Sequence, residues 1–597
     1  MSDFIDIFSA AALADDAEVR HQGIGFIDGS ISGYVLLMGD DAIAASTIIE
    51  PLTQRKVVVF VTEDILTAAL REAGQPLGWN SGIVPFDLQC ALGFIARMAQ
   101  IFGNADSPED ALRYARQRLP GITLLLGEPT PDRLTLAQAA TPLGCPLLSN
   151  ADLPASVETW EISAEYLPAI GGVDLSDIVQ IGIEERGLQI NVPIPELPVA
   201  YSSDFSGQVV HDEACGACLA GVELTETGEK IIDGQIMVVG PDLDSGLSGN
   251  QSYAMLVEIS GREMQPDFEP VLERQIETMI NDVDGVVHRG QRTMVTLRVT
   301  QKAIDKGLRL HHLGKILHTR YHNEFGNILS RVQITFFTEP AQIQIIAERA
   351  QAIYEQRDKR LTSLTDEDVD TFYTCNLCQT IAAGHLCIIS PEHPGVCGAV
   401  DWMDARAAVN IRPVGPNKAV KKSGLIDANL GQWESVNQIV QQESGGVLTA
   451  YSLYSMLQDP GSACGDFECI TAMLPISNGV MVMEHTYDGM TPSGLDWTML
   501  YEIVRAGAPV PGFIGHSKRA LHRDKFISAE GGWRRIVWMN HALREELRPV
   551  LDALAIKAGV SGFVDMIATE ENALTEDEIL AHMEASAHPA LVMDPMI

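Results

Sequence analysis

The chain has 597 residues, 46% of them hydrophobic and 20% charged, with a formal net charge of −39; this is soluble globular material with enough apolar residues for several cores. Such acidity repels a phosphate backbone and excludes nucleic acid as a partner, whereas an anionic cofactor needs only a local basic patch. No window reaches the ~18 uninterrupted apolar residues of a membrane span, and the opening MSDFIDIFSAAALADDAEVR has neither the basic nor the apolar region of a secretory signal, so a cytoplasmic chain off the membrane is expected.

Residues 1–154 alternate short apolar runs with amphipathic stretches. Gly33–Met38 and Lys56–Thr62 read as buried strands. Ala42–Leu52 and Ile65–Ala73 read as helices between and after them, and Leu88–Phe102, Pro108–Arg118, Ile122–Gly127 and Asp132–Thr141 continue the pattern, which Pro146–Ser149 ends. This spacing predicts a Rossmann-like parallel sheet covered on both faces. No glycine-rich phosphate loop follows any of the strands, so nucleotide binding has no motif support.

Residues 155–365 read as an α+β domain. Ile178–Val192, Lys230–Gly240, Val295–Val299 and Val332–Phe337 are predicted strands, and Phe268–Asp282 and Pro340–Lys359 long helices. The polar stretch Lys359–Thr371 precedes a loop-rich α+β segment, residues 366–597, ending in helices over Ala542–Gly559 and Thr575–Ala587. Thr575 stands before three acidic residues, which suits a helix start.

Ten cysteines are too few for a disulfide scaffold, and they are clustered. Cys90 and Cys145 stand alone and read as packing residues. Cys215 and Cys218 form a Cys-x-x-Cys pair, open to reading as a redox pair, a further metal grip or surface-loop thiols. Cys375, Cys378, Cys387 and Cys397 follow the spacing Cys-x2-Cys-x8-Cys-x9-Cys. Four thiolates satisfy a 4Fe-4S cube or a single tetrahedral zinc, and spacing does not separate the two. His385 reads as a packing or supporting residue, because four thiolates complete the count. Farther on, Cys464-Gly465-Asp466 is short enough for side chains and backbone amides to chelate one planar metal, the glycine allowing unusual dihedrals.

Together these two segments resemble the acetyl-CoA synthase family of anaerobic bacteria. The likeness extends to GREMQPDFEPVLERQIETMIND (261–282), KGLRLHHLGKILHTRYHNEFGNILSRVQI (306–334), GLQINVPIPELPVAY (187–201), FISAEGGWRRIVWM (526–539) and HPAL (588–591). The resemblance implies three domains, a 4Fe-4S cube on Cys375, Cys378, Cys387 and Cys397, and a bridge through Cys378 to a nickel site. It implies a second nickel at Cys464, Gly465 and Asp466, and coenzyme A as substrate. Arg309, Lys518 and Arg519 become candidates for the coenzyme A phosphates, and Phe102 for an apolar wall of the pocket. A corrinoid methyl-carrier protein is the implied partner, with carbon-monoxide dehydrogenase or ferredoxin as further candidates. By the same resemblance, no counterpart is expected here of the helical N-terminal extension by which bacterial members dock the dehydrogenase, which weighs against a stable complex with that partner.

Several positions depart from the family pattern. Its Cys-Gly-Cys is Cys464-Gly465-Asp466, so a soft bridging thiolate has become a hard carboxylate. Cys469 lies too far along the chain to close the same small chelate ring. A family phenylalanine that shields the metal is Ile381, and a tryptophan near the coenzyme A region is Thr296. The expected function is an acetyl-CoA synthase-like acyl transfer with Cys378, Cys464 and Asp466 at its centre. The alternatives are a corrinoid-linked methyltransferase to a thiol and a non-catalytic metal or methyl-carrier scaffold that keeps the cube.

Overall fold

The computed structural model describes residues 33–597 except 103–104, 106, 158–160, 163–164, 167–168, 187, 189–193, 202–214, 245–248, 262–263, 265, 327, 381, 412–414 and 506. The first sheet is built from β1 (Gly33–Gly39), β2 (Val57–Val61), β3 (Ile83–Pro85), β4 (Gly121–Leu126), β5 (Leu147–Ser149) and β6 (Ala169–Ile170), in the order β3-β2-β1-β4-β5-β6. Every pair is parallel. Strands β1, β2 and β4 are buried along their whole length, as a sheet covered on both faces requires. Helices α1 (Ala42–Gln54), α2 (Asp64–Glu72), α3 (Leu88–Phe102), α4 (Pro108–Arg118) and α5 (Pro131–Ala139) connect the strands. The Asp41 carboxylate opens α1 by accepting the Ala44 N–H. Phe102 ends α3, and its side chain lies outside the described residues.

Strand order reverses between β1 and β4, where doubly wound sheets usually receive a ligand. Here the chain's own groups fill that crevice. Arg133 reaches Asp40 at 2.8 Å and Glu63 at 3.1 Å. Glu63 accepts the Gly39 N–H, Asp40 the Glu128 N–H and Asn150 the Gly127 N–H. The amides a phosphate would need are therefore already occupied.

A helix α6 (Ile178–Arg186) replaces the strand expected over the start of 178–192; residues 189–192 lie outside the described part. Its buried positions, Ile178, Val179 and Gly182, recur at helical spacing against the first sheet. Packing overrides the β-branched composition that suggested a strand.

The second sheet is mixed. It contains β7 (Cys215–Thr227), β8 (Ile236–Val239), β9 (Gly249–Gly261), β10 (Val286–Gln291), β11 (Met294–Thr300) and β12 (Leu329–Phe337), ordered β8-β12-β9-β7-β11-β10. Helices α7 (Phe268–Ile280) and α8 (Leu310–Phe325) cover one face through Phe268, Leu272, Leu313, Leu317 and Phe325. Helix α9 (Pro340–Lys359) covers the other with Ile346, Ala350 and Tyr354. Cys215 and Cys218 lie in β7 and are joined as a disulfide, so they are neither surface-loop thiols nor thiolates offered to a metal. Of the run 230–240 only Ile236–Val239 is strand, because Asp233 and Gly234 turn the chain, Gly234 at φ +73°.

The remaining chain forms a three-stranded sheet β14-β13-β15 from β13 (Thr371–Cys375), β14 (Cys387–Ile389) and β15 (Ala419–Lys421). Helix α10 (Trp402–Ile411) sets Ala407, Ala408 and Ile411 into the core of the second sheet. A four-stranded sheet β18-β16-β17-β19 follows, from β16 (Cys469–Leu474), β17 (Gly479–Glu484), β18 (Phe513–His516) and β19 (Ile536–Met539). Two long helices close the chain, α11 (His541–Lys557) and α12 (Glu576–Ser586), the latter capped by Thr575 and Glu578 reciprocally. No described helix is long and apolar enough to cross a membrane.

Phe268 is fully buried on α7, edge-on to Phe325 of α8 at 5.5 Å. Phe268→Ala leaves a cavity under the second sheet and is expected to cost about 3–5 kcal/mol in denaturant unfolding. A loss below about 1 kcal/mol would show that these helices close over the gap.

Candidate metal centre

Two short strands carry the first pair of cysteines. Cys375 ends β13 and Cys387 begins β14, and the two are direct antiparallel partners. The chain then turns tightly through Leu377–Thr380, which holds Cys378; the Ala382 N–H closes back on the Cys378 carbonyl at 3.0 Å. Cys397 sits in a second turn, where the Gly395 N–H meets the Val400 carbonyl at 2.9 Å and Gly398 takes φ +75°. Cys375 and Cys387 are buried, Cys378 and Cys397 half-buried. Burial, and then the neighbouring Cys387 sulfur, push the Cys375 and Cys397 thiols above their ordinary value.

Cys464, Gly465 and Asp466 approach from the loop before β16. Gly465 has φ +98°, and a Cβ there would meet the Tyr501 hydroxyl at 2.7 Å, so glycine is required on both counts. The sulfurs of Cys378 and Cys464 and a carboxylate oxygen of Asp466 all lie within 4.8 Å of one another. Among the described residues, the only other group of three or more such donors is Asp233, His318 and His322. No three of the four loop cysteines converge as closely.

This centre is buried and anionic. The Cys378 hydrogen bond holds the Cys464 thiol well below its usual value, helped by His385 against the effect of burial. Burial, followed by the Cys464 charge, raises the Asp466 carboxyl to about 7. Burial also raises Glu277 of α7, with Asp466 and Cys464 adding to it. Burial works to lower His385, but the sulfurs of Cys387 and Cys464 outweigh it and raise the imidazole well above its ordinary value. His385 lies between the two cysteine groups, 3.4 Å from Cys387 Sγ by Nε2 and 2.9 Å from Ser462 Oγ by Nδ1. Arg289 and His288 of β10 act on Asp466 from the second sheet. Several negative donors thus share a low-dielectric site with few cations, which is an arrangement a bound metal cation satisfies.

Glu277, Arg289 and His288 were not visible as site residues in the sequence. The fold brings them there: Arg289 lies directly across the strands from Thr296. At the β10–β11 turn the Thr293 hydroxyl donates to Glu468, two residues past Asp466. Ile381 lies outside the described residues. Cys469 is in β16, inside the core rather than at the centre.

The three basic candidates occupy different settings. Arg309 caps α8, its guanidinium donating to the Ile304 and Leu308 carbonyls at 3.1 and 2.8 Å. Lys518 pairs with Glu484 at 2.9 Å and Glu546 at 2.6 Å. Arg519 is buried, bonded to the Gly398 carbonyl at 2.7 Å, Asp358 at 2.8 Å and Asp401 at 3.0 Å. Lys518 and Arg519, candidates for the coenzyme A phosphates, are therefore already paired with carboxylates. Arg519 ties α9 and the start of α10 to the Cys397 turn. Asp358 also takes Arg292 at 2.7 Å.

The family model for the C-terminal part of the ACS/CODH beta subunit matches residues 354–597. That of the CO dehydrogenase/acetyl-CoA synthase complex beta subunit matches 197–343. The chain is 36% identical over 605 aligned positions to the carbon monoxide dehydrogenase/acetyl-CoA synthase subunit alpha of Moorella thermoacetica, covering 98% of this chain and 81% of that one. It is 31% identical to the acetyl-CoA decarbonylase/synthase complex subunit beta 1 of Methanocaldococcus jannaschii, over 96% of this chain and 76% of that one. With the beta subunit of the same complex in Methanopyrus kandleri it shares 34% identity, over 67% of this chain and 85% of that one.

Arg519→Met removes one partner from a buried ion cluster and leaves Asp401 uncompensated. The expected cost is about 3–5 kcal/mol in denaturant unfolding of the full chain, with Arg519→Lys losing less. An unchanged midpoint for Arg519→Met would show that Asp401 does not need the guanidinium.

Proposed function

The chain belongs to the acetyl-CoA synthase beta-subunit family, and from that premise we propose that it joins a corrinoid-derived methyl group, carbon monoxide and coenzyme A at an iron–sulfur and nickel centre. The observation that carries this reading is the approach of Cys378, one of the four loop cysteines, to within 4.8 Å of Cys464 and Asp466. A thiol that belongs to both groups supports a bridging role for Cys378.

Cys375, Cys378, Cys387 and Cys397 would hold the 4Fe-4S cube. A single zinc at about 2.3 Å from each sulfur needs the four sulfurs about 3.8 Å apart. The looser arrangement of these four favours the larger cube. Cys464, the Gly465 backbone and Asp466 would hold the second metal with Cys378, and the donor set fits a cation because its own charge is negative and buried. When bound, nickel beside the cube supplies an electron-rich site that accepts and joins carbon groups.

The chain's own residues orient this site. His385 fixes the Ser462 side of the Cys464 loop and the Cys387 side of the cysteine pair with one ring. Arg289 brings a cation toward Asp466 from β10. Arg309 and, less directly, Lys518 are the proposed contacts for coenzyme A phosphates, and Phe102 the proposed apolar wall. Arg519 is assigned to positioning the Cys397 turn, since its hydrogen-bonding faces already meet carboxylates and a carbonyl. Carbon-monoxide dehydrogenase, a ferredoxin and a corrinoid methyl-carrier protein are the proposed partners.

Asp466 supports a second reading. A carboxylate binds low-valent nickel less well than a thiolate. Methyl transfer from a corrinoid protein to a thiol, without carbonylation, would need less of that metal. The two readings separate by assay: acetyl-CoA formed from carbon monoxide, a methyl donor and coenzyme A supports the first, and methyl thioether alone supports the second.

Anaerobically prepared protein is expected to contain about four irons per chain and a thiolate-to-iron absorption that bleaches with dithionite; one zinc without iron would overturn the cube. Cys378→Ser is expected to abolish methyl acceptance and to do so more completely than Cys375→Ser, because only Cys378 lies beside Cys464 and Asp466. Equal acceptance in Cys378→Ser and the parent protein removes the bridging role. Asp466→Cys is expected to raise nickel content by restoring two thiolates to the chelate, measured by metal analysis after anaerobic loading. Parent protein that already holds two nickels and makes acetyl-CoA briskly would show that the carboxylate is an adequate ligand.

A further inference from the structure

A second group of metal-capable side chains lies on the middle sheet, away from every cysteine. His318 and His322 stand one turn apart on α8 and direct both Nε2 atoms at one point. That point is Oδ1 of Asp233, at 3.0 Å from His318 and 2.8 Å from His322. The same oxygen accepts the Val332 N–H at 2.9 Å, which fixes its position on β12. The imidazole centroids are 4.5 Å apart, and all three donor atoms lie within 4.8 Å of one another. The two histidine side chains are 16% and 13% exposed, whereas Asp233 is 43% exposed, so the group is walled on the helix side and open on the other.

We propose that Asp233, His318 and His322 form a second metal site for a divalent transition cation of the zinc class, separate from the cysteine-held centre. Paired histidines at i and i+4 are a standard way for a helix to offer two imidazole nitrogens to one ion, and a carboxylate from another element completes three ligands. Tetrahedral ligands about 2.0–2.1 Å from zinc stand about 3.4 Å apart. The observed separations around the Asp233 oxygen, 2.8 and 3.0 Å, need to open by roughly half an ångström to admit the ion. Solvent supplies the fourth ligand on the exposed side of Asp233.

The site has a structural task. Asp233 and Gly234 turn the chain into β8, which among the described residues is the edge of the second sheet and pairs only with β12. All four residues of β8 are half-buried, so little apolar burial holds this edge. An ion shared between Asp233 and α8 fastens the turn to the helix that covers the sheet. Without the ion, both imidazoles donate to Asp233 and the same contact is a weaker hydrogen-bonded clip. A site of this kind is a fastener and needs no part in the acyl chemistry.

The test is a Zn2+ titration of the full chain, prepared anaerobically with its iron content intact so that the four loop cysteines are occupied. The parent is compared with the double variant His318→Gln, His322→Gln and with His322→Gln alone, which retains a polar side chain beside Asp233 and keeps the comparison valid if the double variant folds poorly. The parent is expected to bind one more Zn2+ than the double variant. The single variant is expected to bind that ion at least tenfold more weakly, and added Zn2+ should raise the unfolding temperature of the parent alone. Equal stoichiometry and affinity in the parent and His322→Gln would overturn the site and leave a His–Asp–His hydrogen-bonded clip.

Discussion

Like charges cannot be gathered in a protein interior without opposing charge close at hand. The centre of this molecule gathers two cysteines and an aspartate within 4.8 Å, with Glu277 acting on them from α7. Much of the surrounding architecture answers that constraint. The imidazole of His385 stands between Cys387 and the Cys464 loop, and the second sheet supplies Arg289 and His288. One layer farther out the pattern inverts: Asp358 and Asp401 are met by Arg292 and Arg519, and these pairs join α9 and α10 to the Cys397 turn. Removing any layer leaves a charge in the next one unbalanced, so the sheets must come together for the centre to persist.

The burial of Asp401 and Asp404 shows how local structure serves this network. Each carboxylate accepts the other's backbone N–H at the start of α10. Arg519 holds Asp401 below the usual carboxylate range despite burial, while burial, followed by the Asp401 charge, raises Asp404 to about 7. A helix start has become part of the electrostatic frame around the cysteine loops.

Legibility in the sequence followed the range of the interactions involved. β1, β2 and β4 could be read because burial on both faces leaves continuous apolar runs. Cys375, Cys378, Cys387 and Cys397 could be singled out as a group because their spacing is itself a signal, and Cys464-Gly465-Asp466 because three candidate donors stand side by side in the chain; that Cys378 meets Cys464 and Asp466 needed the fold. β7 and β9 went unread, as small residues and a buried Glu223 interrupt the apolar pattern. That carboxylate is satisfied by Tyr253 at 2.6 Å and His288 at 2.8 Å, partners distant in the chain. The 178–192 run misled because its β-branched residues fit either a strand or a buried helix face. Arg519 is by resemblance a candidate for coenzyme A phosphates, whereas its neighbours in space are Asp358, Asp401 and the Gly398 carbonyl. Glu277 and Arg289 needed the tertiary fold, since nothing within their own segments separates them from ordinary surface charges.

The filled crevice of the first sheet has a wider bearing. Asp40, Glu63 and Arg133 sit where doubly wound sheets elsewhere greet a nucleotide, and Gly39 and Glu128 spend their amides on those side chains. The topology matches that of many nucleotide-binding sheets while the chain's own side chains occupy the usual ligand position, so shape and use need not go together. A survey that sorted proteins by sheet topology would place this domain among the nucleotide binders; three side chains at the mouth of the crevice would correct it.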